Sequence, residues 1–144
     1  MIRKFESRDL DAVTQIWLRG NLDAHAFIPA SFWTEHFEMV RNLLPQAELY
    51  VHENETTQQI DGFIGLTENH IEGIFVAKAA RSKGIGKALL GYVKSRKPCL
   101  TLSVYQKNDR AFSFYRREQF GVQSEGIDED TNEAEIQMRW TQQA

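Results

Sequence analysis

Apolar residues in the first half of the chain recur at helical spacing in two segments. Val13 and Trp17 lie one helical turn apart and, with the apolar residues around them, predict a first helix over 8–20. Gly20 is expected to end this helix, and a second helix is predicted over 31–44. Short apolar runs bounded by polar or turn residues predict strands at 2–6, 49–51, 60–66 and 70–76.

The second half of the chain alternates between strands and helices. A glycine-containing loop after the fourth strand leads into a helix over 84–96, and Asn108 can cap another helix that extends to about 118. The remaining strands are predicted at 99–105, 120–126 and 134–140. Hairpins thus surround one strand–helix–strand crossover. The predicted fold class is α/β (α+β), with a central mixed, mostly antiparallel sheet of about seven strands and about four flanking helices.

The composition indicates one soluble domain that spans residues 1–144. A chain of 144 residues, 42% of them hydrophobic, can bury a core of ordinary size. Its net charge of −3 gives no global attraction for a nucleic acid, and its single cysteine excludes an internal disulfide framework. No apolar stretch approaches the roughly 20 residues that cross a bilayer. We therefore expect a cytoplasmic protein without a nucleic-acid or membrane partner.

The segment 74–87 predicts an anion-binding site. It reads as the end of an apolar strand, a basic glycine loop and the start of a helix. Glycines let the backbone approach an anion closely, and the first N–H groups of a helix have no partner within it. Arg81, Lys83 and Lys87 add positive charge at the positive end of the helix dipole. A ligand that carries a pyrophosphate is expected here.

Two motifs resemble those of the GCN5-related N-acetyltransferase (GNAT) family. The spacing Arg81-x-x-Gly84-x-Gly86 resembles the family's acetyl-coenzyme A loop, Q/R-x-x-G-x-G/A, and matches neither the nucleotide P-loop nor G-x-G-x-x-G. The segment 108–120 resembles the family pattern N-x-x-A-x-x-F-Y-x-x-x-G-F. All positions of that pattern match except Gln119, where the family has glycine at the helix exit. Gly121 lies close enough to take over that turn.

The resemblance implies an acyltransferase that moves the acetyl group of acetyl-coenzyme A to a primary amine by direct attack, without a metal. The segments 25–28 and 70–76 resemble a subgroup of small bacterial members, some of them described as peptidyl-lysine acetyltransferases. The acceptor is therefore expected to be a peptide or protein lysine, or a small amine. A monomer or a homodimer is compatible with the sequence.

The resemblance also implies roles for individual residues. Tyr115 would protonate the leaving thiolate. Strand alternation would place His70 and Glu72 on the face of Ile74, near the reacting acetyl group. His70 is a candidate general base because imidazole titrates near neutrality, and a hydrogen-bonded turn histidine is the alternative. Glu72 would orient a water molecule or the substrate ammonium.

The resemblance further implies a track of cofactor contacts. The Ile74 N–H would face the acetyl carbonyl, and Val76 and Asn108 would contact the pantetheine arm. The expected cofactor-binding residues are Ile74, Phe75, Val76, Arg81, Ser82, Lys83, Gly84, Ile85, Gly86, Lys87 and Asn108. The acceptor cleft is expected to include His25, Phe27, Trp33 and Glu68, with a structural loop role as the alternative for His25.

Two other functions fit the same motifs. The chain is alternatively a non-catalytic acyl-coenzyme A sensor, or a toxin-like acetyltransferase of aminoacyl-tRNA, which the net charge of −3 disfavours. The acidic residues over 125–135 are interpreted as a solvated loop, and attraction of a cationic acceptor is the alternative.

Overall fold

A computed structural model describes residues 1–143 as one seven-stranded sheet with four α-helices. The predicted fold class is confirmed. In chain order the elements are β1 (Ile2–Lys4), α1 (Leu10–Ala24), α2 (Ala30–Leu43), β2 (Glu48–Glu53), β3 (Ile60–Thr67), β4 (His70–Val76), α3 (Ile85–Lys94), β5 (Cys99–Tyr105), α4 (Asp109–Arg117), β6 (Gly121–Asp128) and β7 (Glu133–Thr141). Within residues 1–143, no helix has both the length and the apolar character needed to cross a membrane.

The strands follow the order β1-β2-β3-β4-β5-β7-β6, and every neighbouring pair is antiparallel except β4 with β5. The parallel pair is short. It consists of His70 opposite Thr101 and Ile71 opposite Leu102, after which the two strands no longer pair. The edges of β4 and β5 that face each other therefore lack sheet partners over the second half of each strand. A gap opens between them in the middle of the sheet.

Helices cover the two faces of the sheet differently. On one face, α3 contributes Leu89 and Leu90, which pack with Ile64, Leu102 and other buried residues of the strands. On the opposite face, α1 packs through Val13 against buried residues of β2 and β3. Removal of such side chains from water contributes about 25 cal/mol for each Å² of apolar surface. On the α1 face, Ser103 of β5 is exposed, so polar residues lie on this part of the sheet.

One extra residue in β4 interrupts the alternation of its side chains. Ile71 pairs with Leu66 and Gly73 with Gly65, so Glu72 is left unpaired as a β-bulge. After the bulge, Ile74 pairs with Ile64, on the face of Leu66 and Ile71. His70 precedes the bulge and lies on the opposite face. The prediction that His70, Glu72 and Ile74 share one face is therefore wrong.

Two helix ends also differ from the sequence-based prediction. Gly20 does not end the first helix, which continues to Ala24. A Cβ atom on Gly20 would lie 2.9 Å from Cδ1 of Phe75, so this glycine serves close packing of the helix on β4. At the exit of α4, Gln119 itself takes the left-handed conformation, with φ of 74°, and Gly121 does not replace it. Such a backbone conformation costs a residue other than glycine about 1 kcal/mol.

Candidate active site

The gap between β4 and β5 opens into a cavity of about 1300 Å³. Residues of both strands line it, together with the C-terminal end of α1, the loop before α3 and residues along α4. A cavity of this size admits a ligand much longer than a single amino-acid side chain. It lies where the backbone edges of the two strands are unpaired, so it combines open space with free hydrogen-bonding groups.

The loop and helix start at residues 81–87, here called the glycine-loop side, form one part of the cavity wall. Gly84 precedes α3 with φ of 80°, a conformation that favours glycine. A Cβ atom added to Gly84 would have no atom within 4 Å, and one on Gly86 would make only ordinary contacts with Phe114 and Val76. The protein's own packing therefore does not require these glycines to lack side chains. They leave room beside the unpaired N–H groups of the helix start.

Arg81 is partly committed to contacts within the protein. Its Nε donates to the Val76 carbonyl at 3.3 Å, and its Nη2 lies 3.4 Å from Oδ2 of Asp23. These contacts attach the glycine loop to the end of β4 and to α1. The side chains of Lys83 and Lys87 are exposed, so their charge is available to an anion.

The hydrogen-bond pattern of β4 determines which backbone groups face the gap. The Ala77 N–H donates to the Asp61 carbonyl at 2.8 Å, which fixes the alternation of the antiparallel pair. By that alternation, Phe75 directs its N–H and C=O groups toward β3. Ile74 and Val76 direct theirs toward the gap, where β5 has moved away. The cavity thus has backbone donors and acceptors along one wall.

Tyr115 lies in the second turn of α4 and lines the cavity. Its ring is 8% exposed and packs against Phe114 and Phe120, with centroid distances of 5.3 and 5.6 Å. Burial raises the pKa of Tyr115 well above its ordinary value. The phenol is therefore protonated at neutral pH. Within residues 1–143, no group accepts a hydrogen bond from its hydroxyl.

Comparison with known proteins identifies the family. A family model described as the acetyltransferase (GNAT) domain matches residues 45–121. The peptidyl-lysine N-acetyltransferase YiaC of Escherichia coli K12 is 37% identical over 124 residues, which cover 85% of this chain and 84% of the relative. YjaB of the same strain, also named a peptidyl-lysine N-acetyltransferase, is 33% identical, covering 84% of this chain and 82% of the relative.

The chain belongs to the GNAT family of acetyltransferases. Its fold agrees with the solution structure of apo YjaB from Escherichia coli, with a TM-score of 0.86 and 29% identity over 96% of this chain and 95% of the other. A Bacillus anthracis acetyltransferase solved with acetyl coenzyme A is similar at a TM-score of 0.60 and 25% identity, over 67% and 63% of the two chains. The predictions of family and of an acyltransferase are confirmed.

The sheet face beside α1 contributes polar groups to the GNAT cavity. His70 lies where β4 still pairs with β5, and its Nδ1 is 2.9 Å from Oγ1 of Thr101. Tyr105 donates its hydroxyl hydrogen to Oδ2 of Asp128 at 2.6 Å, and Glu135 pairs with Tyr105 across the β5–β7 ladder. Burial, and then the charge of Asp128, raise the pKa of Glu135, while His70 acts in the opposite direction.

Asp128 and Glu135 are two carboxylates of this face, and we call them the acidic patch. Both line the cavity, so the interpretation of this acidic stretch as a solvated loop is wrong at these two positions. Exposed Glu129 and Asp130 lie in the turn that connects β6 and β7 and do fit that interpretation. Sequence reasoning raised attraction of a cationic acceptor only for the acidic stretch as a whole. It missed Tyr105, because the convergence of these residues depends on the register between β5 and β7.

The structure brings most of the predicted site residues together. The cavity lining includes the following predicted residues: His25, Trp33, His70, Glu72, Ile74, Phe75, Val76, Arg81, Ser82, Gly84, Ile85, Gly86, Lys87, Asn108 and Tyr115. Three predicted residues lie outside that lining. Lys83 is exposed in the glycine loop, and the ring of Phe27 packs behind His25 and Tyr105. Glu68 occupies the β3–β4 turn, where its carbonyl accepts from Nζ of Lys97 at 2.8 Å.

Proposed function

We propose that this GNAT acetyltransferase binds acetyl-coenzyme A in the β4–β5 gap and transfers its acetyl group to a lysine side chain of a peptide or protein. One observation carries the proposal. The glycine-loop side, the unpaired edge of β4 and the Tyr115 hydroxyl all border one cavity. The peptidyl-lysine acceptor follows from the names of the relatives that share 33–37% of their residues with this chain.

The glycine-loop side fits a pyrophosphate. The space beside Gly84 and Gly86 is open, and the N–H groups at the start of α3 can donate to phosphate oxygens. The side chains of Ser82, Lys83 and Lys87 are exposed around this space and add a hydroxyl donor and two positive charges. Ile85 is buried and contributes its backbone rather than its side chain.

The edge of β4 fits the arm that carries the acetyl group. The Val76 N–H and the amide of Asn108 are candidates to hydrogen-bond this polar, extended chain. The Ile74 N–H would donate to the acetyl carbonyl oxygen and stabilise negative charge that develops there. Phe75 offers this arm no polar group, because its backbone N–H and C=O face β3 and its ring stacks on Phe63.

Tyr115 is the proposed acid. When acetyl-coenzyme A is bound, it supplies a thioester whose sulfur must gain a proton as the acetyl group leaves. The Tyr115 phenol holds such a proton, because a phenol is neutral at pH 7. Phe114 and Phe120 fix the ring, so the direction of its hydroxyl is preorganised.

His70 and Glu72 are the proposed residues that remove a proton from the acceptor amine, directly or through water. A lysine amine is mostly charged at pH 7 and must lose a proton before it attacks. The Nδ1 of His70 contacts Thr101, which leaves Nε2 free to accept a proton from the cavity. Glu72 is exposed at the bulge, where its carboxylate can hold a water molecule or the ammonium group.

The acidic patch supports a cationic acceptor. Asp128 and Glu135 place negative charge on the cavity wall, and Trp33 and Tyr105 supply apolar surface for the methylene groups of a lysine. A neutral or anionic acceptor would gain nothing from these carboxylates. This arrangement favours lysine side chains and other alkylammonium groups as acceptors.

The proposal is tested by measuring thiol release from acetyl-coenzyme A with a panel of amines. The panel contains a lysine peptide, the same peptide with arginine in place of lysine, and a small diamine. We expect release with the lysine peptide, none with the arginine peptide, and an ε-acetyl-lysine product by mass spectrometry. Binding of acetyl-coenzyme A without release in any arm would instead indicate a sensor, and product only from the diamine would exclude the peptide acceptor.

A further inference from the structure

A chain of hydrogen bonds connects the end of α1 with the start of α4 through one histidine. The Nδ1 of His25 lies 3.0 Å from Oδ1 of Asn21, and its Nε2 lies 3.1 Å from Nδ2 of Asn108. Asn108 in turn accepts from the Ala111 N–H through Oδ1 at 3.2 Å, as the N-cap of α4. The imidazole ring thus contacts a residue that lies 83 positions later in the sequence.

The hydrogen bonds at the two ends of this series fix the tautomer of His25. The Ala111 N–H must donate to the carbonyl oxygen of Asn108, so the amide nitrogen of Asn108 faces the ring and donates to Nε2. At the other end, the amide nitrogen of Asn21 donates to the Trp17 carbonyl at 2.9 Å, which leaves the Asn21 oxygen to accept from the ring. His25 therefore carries its proton on Nδ1 and is neutral.

The surroundings of His25 favour this neutral form. Its ring stacks on Trp33 at a centroid distance of 5.5 Å and meets the edges of Tyr105 and Phe27 at 4.9 and 5.6 Å. Asn21 is only 3% exposed. Burial lowers the pKa of His25 to about 4, so the ring is not protonated at neutral pH. With both nitrogens engaged, His25 is not available as a base for the acceptor amine.

We propose that His25 is a positioning residue that holds the amide of Asn108 in the orientation needed to contact acetyl-coenzyme A. The inference rests on the proposed function, in which Asn108 contacts the arm of that cosubstrate. One N–H of the Asn108 amide is occupied by His25 and its oxygen by Ala111, so the second N–H remains for a ligand in the cavity. Without His25, the amide could rotate and its donor would no longer have a fixed direction.

The tautomer is tested first, on the wild-type protein without any ligand. Two-bond and three-bond nitrogen–proton correlations of the histidine rings are recorded by NMR across an acid titration. We expect a protonated Nδ1 and an unprotonated Nε2 for His25, with no titration until the pH approaches about 4. A proton on Nε2, or titration near 6.5, would overturn the inference.

Two substitutions of His25 then separate its two hydrogen bonds. In His25→Gln, the side-chain oxygen lies near the former Nε2 and can still accept from Asn108. In His25→Asn, the side chain is shorter, so it can still donate to Asn21 but does not reach Asn108. We expect the Kd for acetyl-coenzyme A, measured by calorimetry, to rise about threefold to tenfold in His25→Asn. The Gln variant is expected to restore most of this loss.

Equal affinities for the two variants, or a larger loss in His25→Gln, would contradict the positioning role. The matched control is His36→Asn. His36 likewise makes a short contact through its Nδ1, which lies 2.6 Å from the Phe32 carbonyl, but it lies outside the cavity lining. A merely structural role of His25 would affect both variants and the melting temperature alike. If the wild type bound no acetyl-coenzyme A, the proposed function would fail, whereas the NMR test would still decide the His25–Asn108 contact.

Discussion

The two parts of the cavity wall are built from the chain in different ways. The glycine-loop side comes from one continuous segment, residues 81–87, in which each residue is positioned by its neighbours in sequence. The acidic patch comes from the end of β6 and the start of β7, and it meets His70 of β4 and Tyr105 of β5 only through the pairing of the sheet. Under the proposed function, the cosubstrate would be bound mainly by local structure, and the acceptor would be selected by long-range assembly.

Tyr115 lines the same cavity as these two parts, and its removal should have the largest effect on the reaction. Tyr115→Phe deletes the proposed proton donor but keeps the ring that packs against Phe114 and Phe120. We expect kcat to fall about a hundredfold, because a positioned general acid contributes at least that factor. The Kd for acetyl-coenzyme A and the KM for the acceptor should remain within about twofold, since neither depends on the hydroxyl.

Tyr92→Phe is the matched control for this prediction. Tyr92 packs on Tyr50 and beneath Arg96, and it does not line the cavity. Its hydroxyl should therefore be dispensable for turnover. Unchanged kcat in Tyr115→Phe would exclude the phenol as the acid and would point to another donor, such as water.

A substitution of Gly84 should affect the cosubstrate and spare the acceptor. Gly84→Val places a β-branched residue at φ of 80° and fills the open space beside the helix start. We expect the Kd for acetyl-coenzyme A to rise more than about tenfold, because a phosphate group can no longer approach the N–H groups of α3. Calorimetry with coenzyme A measures this loss directly.

Gly91→Ala provides the comparison within the same helix. Gly91 is exposed on α3, has no positive φ, and a Cβ atom there would meet nothing within 4 Å. Alanine should stabilise the helix by about 1 kcal/mol without changing affinity. Equal losses of affinity in Gly84→Val and Gly91→Ala would show that the open space beside Gly84 is not what the cosubstrate requires.

The same division explains how far the sequence could predict this site. Residues 81–87 and 108–115 form motifs whose spacing is a local property, so the loop, Asn108 and Tyr115 could be found without a structure. The bulge at Glu72 could not, because it exists only relative to Gly65 and Leu66 of β3. The alternation of apolar and polar residues in β4 therefore gave the wrong face for His70.

Long-range packing also explains the errors on the acceptor side. Phe27 is close to His25 in sequence, yet its ring lies behind the cavity wall because it packs on Tyr105 of β5. Asp128 and Glu135 resemble their solvated neighbours in composition, and only the strand register directs them into the cavity. The sequence alone does not show which of these side chains enter the cavity, since their surroundings are supplied by distant segments.

Removal of a carboxylate from the acidic patch should change acceptor binding and leave the cosubstrate unaffected. In Glu135→Gln we expect the KM for a lysine peptide to rise about threefold to fivefold, which corresponds to the weak attraction of a partly exposed charge pair. The Kd for acetyl-coenzyme A should be unchanged. Glu129→Gln removes the same charge from the β6–β7 turn, outside the cavity lining, and should have no effect on KM.

If Glu129→Gln raised KM as much as Glu135→Gln, the acidic residues would act through net charge alone. If neither variant changed KM, the acidic patch would not contribute to acceptor selection. In either case the position of the acidic patch in the cavity would not determine acceptor binding.

The smallest effect concerns the pH dependence of acceptor binding. Burial, and then the neighbouring Asp128, raise the pKa of Glu135, so on acidification it gains a proton at a higher pH than an ordinary carboxyl group. The acidic patch then loses negative charge, and the KM for a lysine peptide should rise. The Kd for coenzyme A should not rise with it. Other groups in the cavity titrate as well, so the prediction concerns only the part of the rise that disappears in Glu135→Gln. If Glu135 attracts the acceptor, neutralising its charge must weaken acceptor binding. An identical pH profile of KM in wild type and Glu135→Gln would therefore mean that Glu135 does not contact the acceptor.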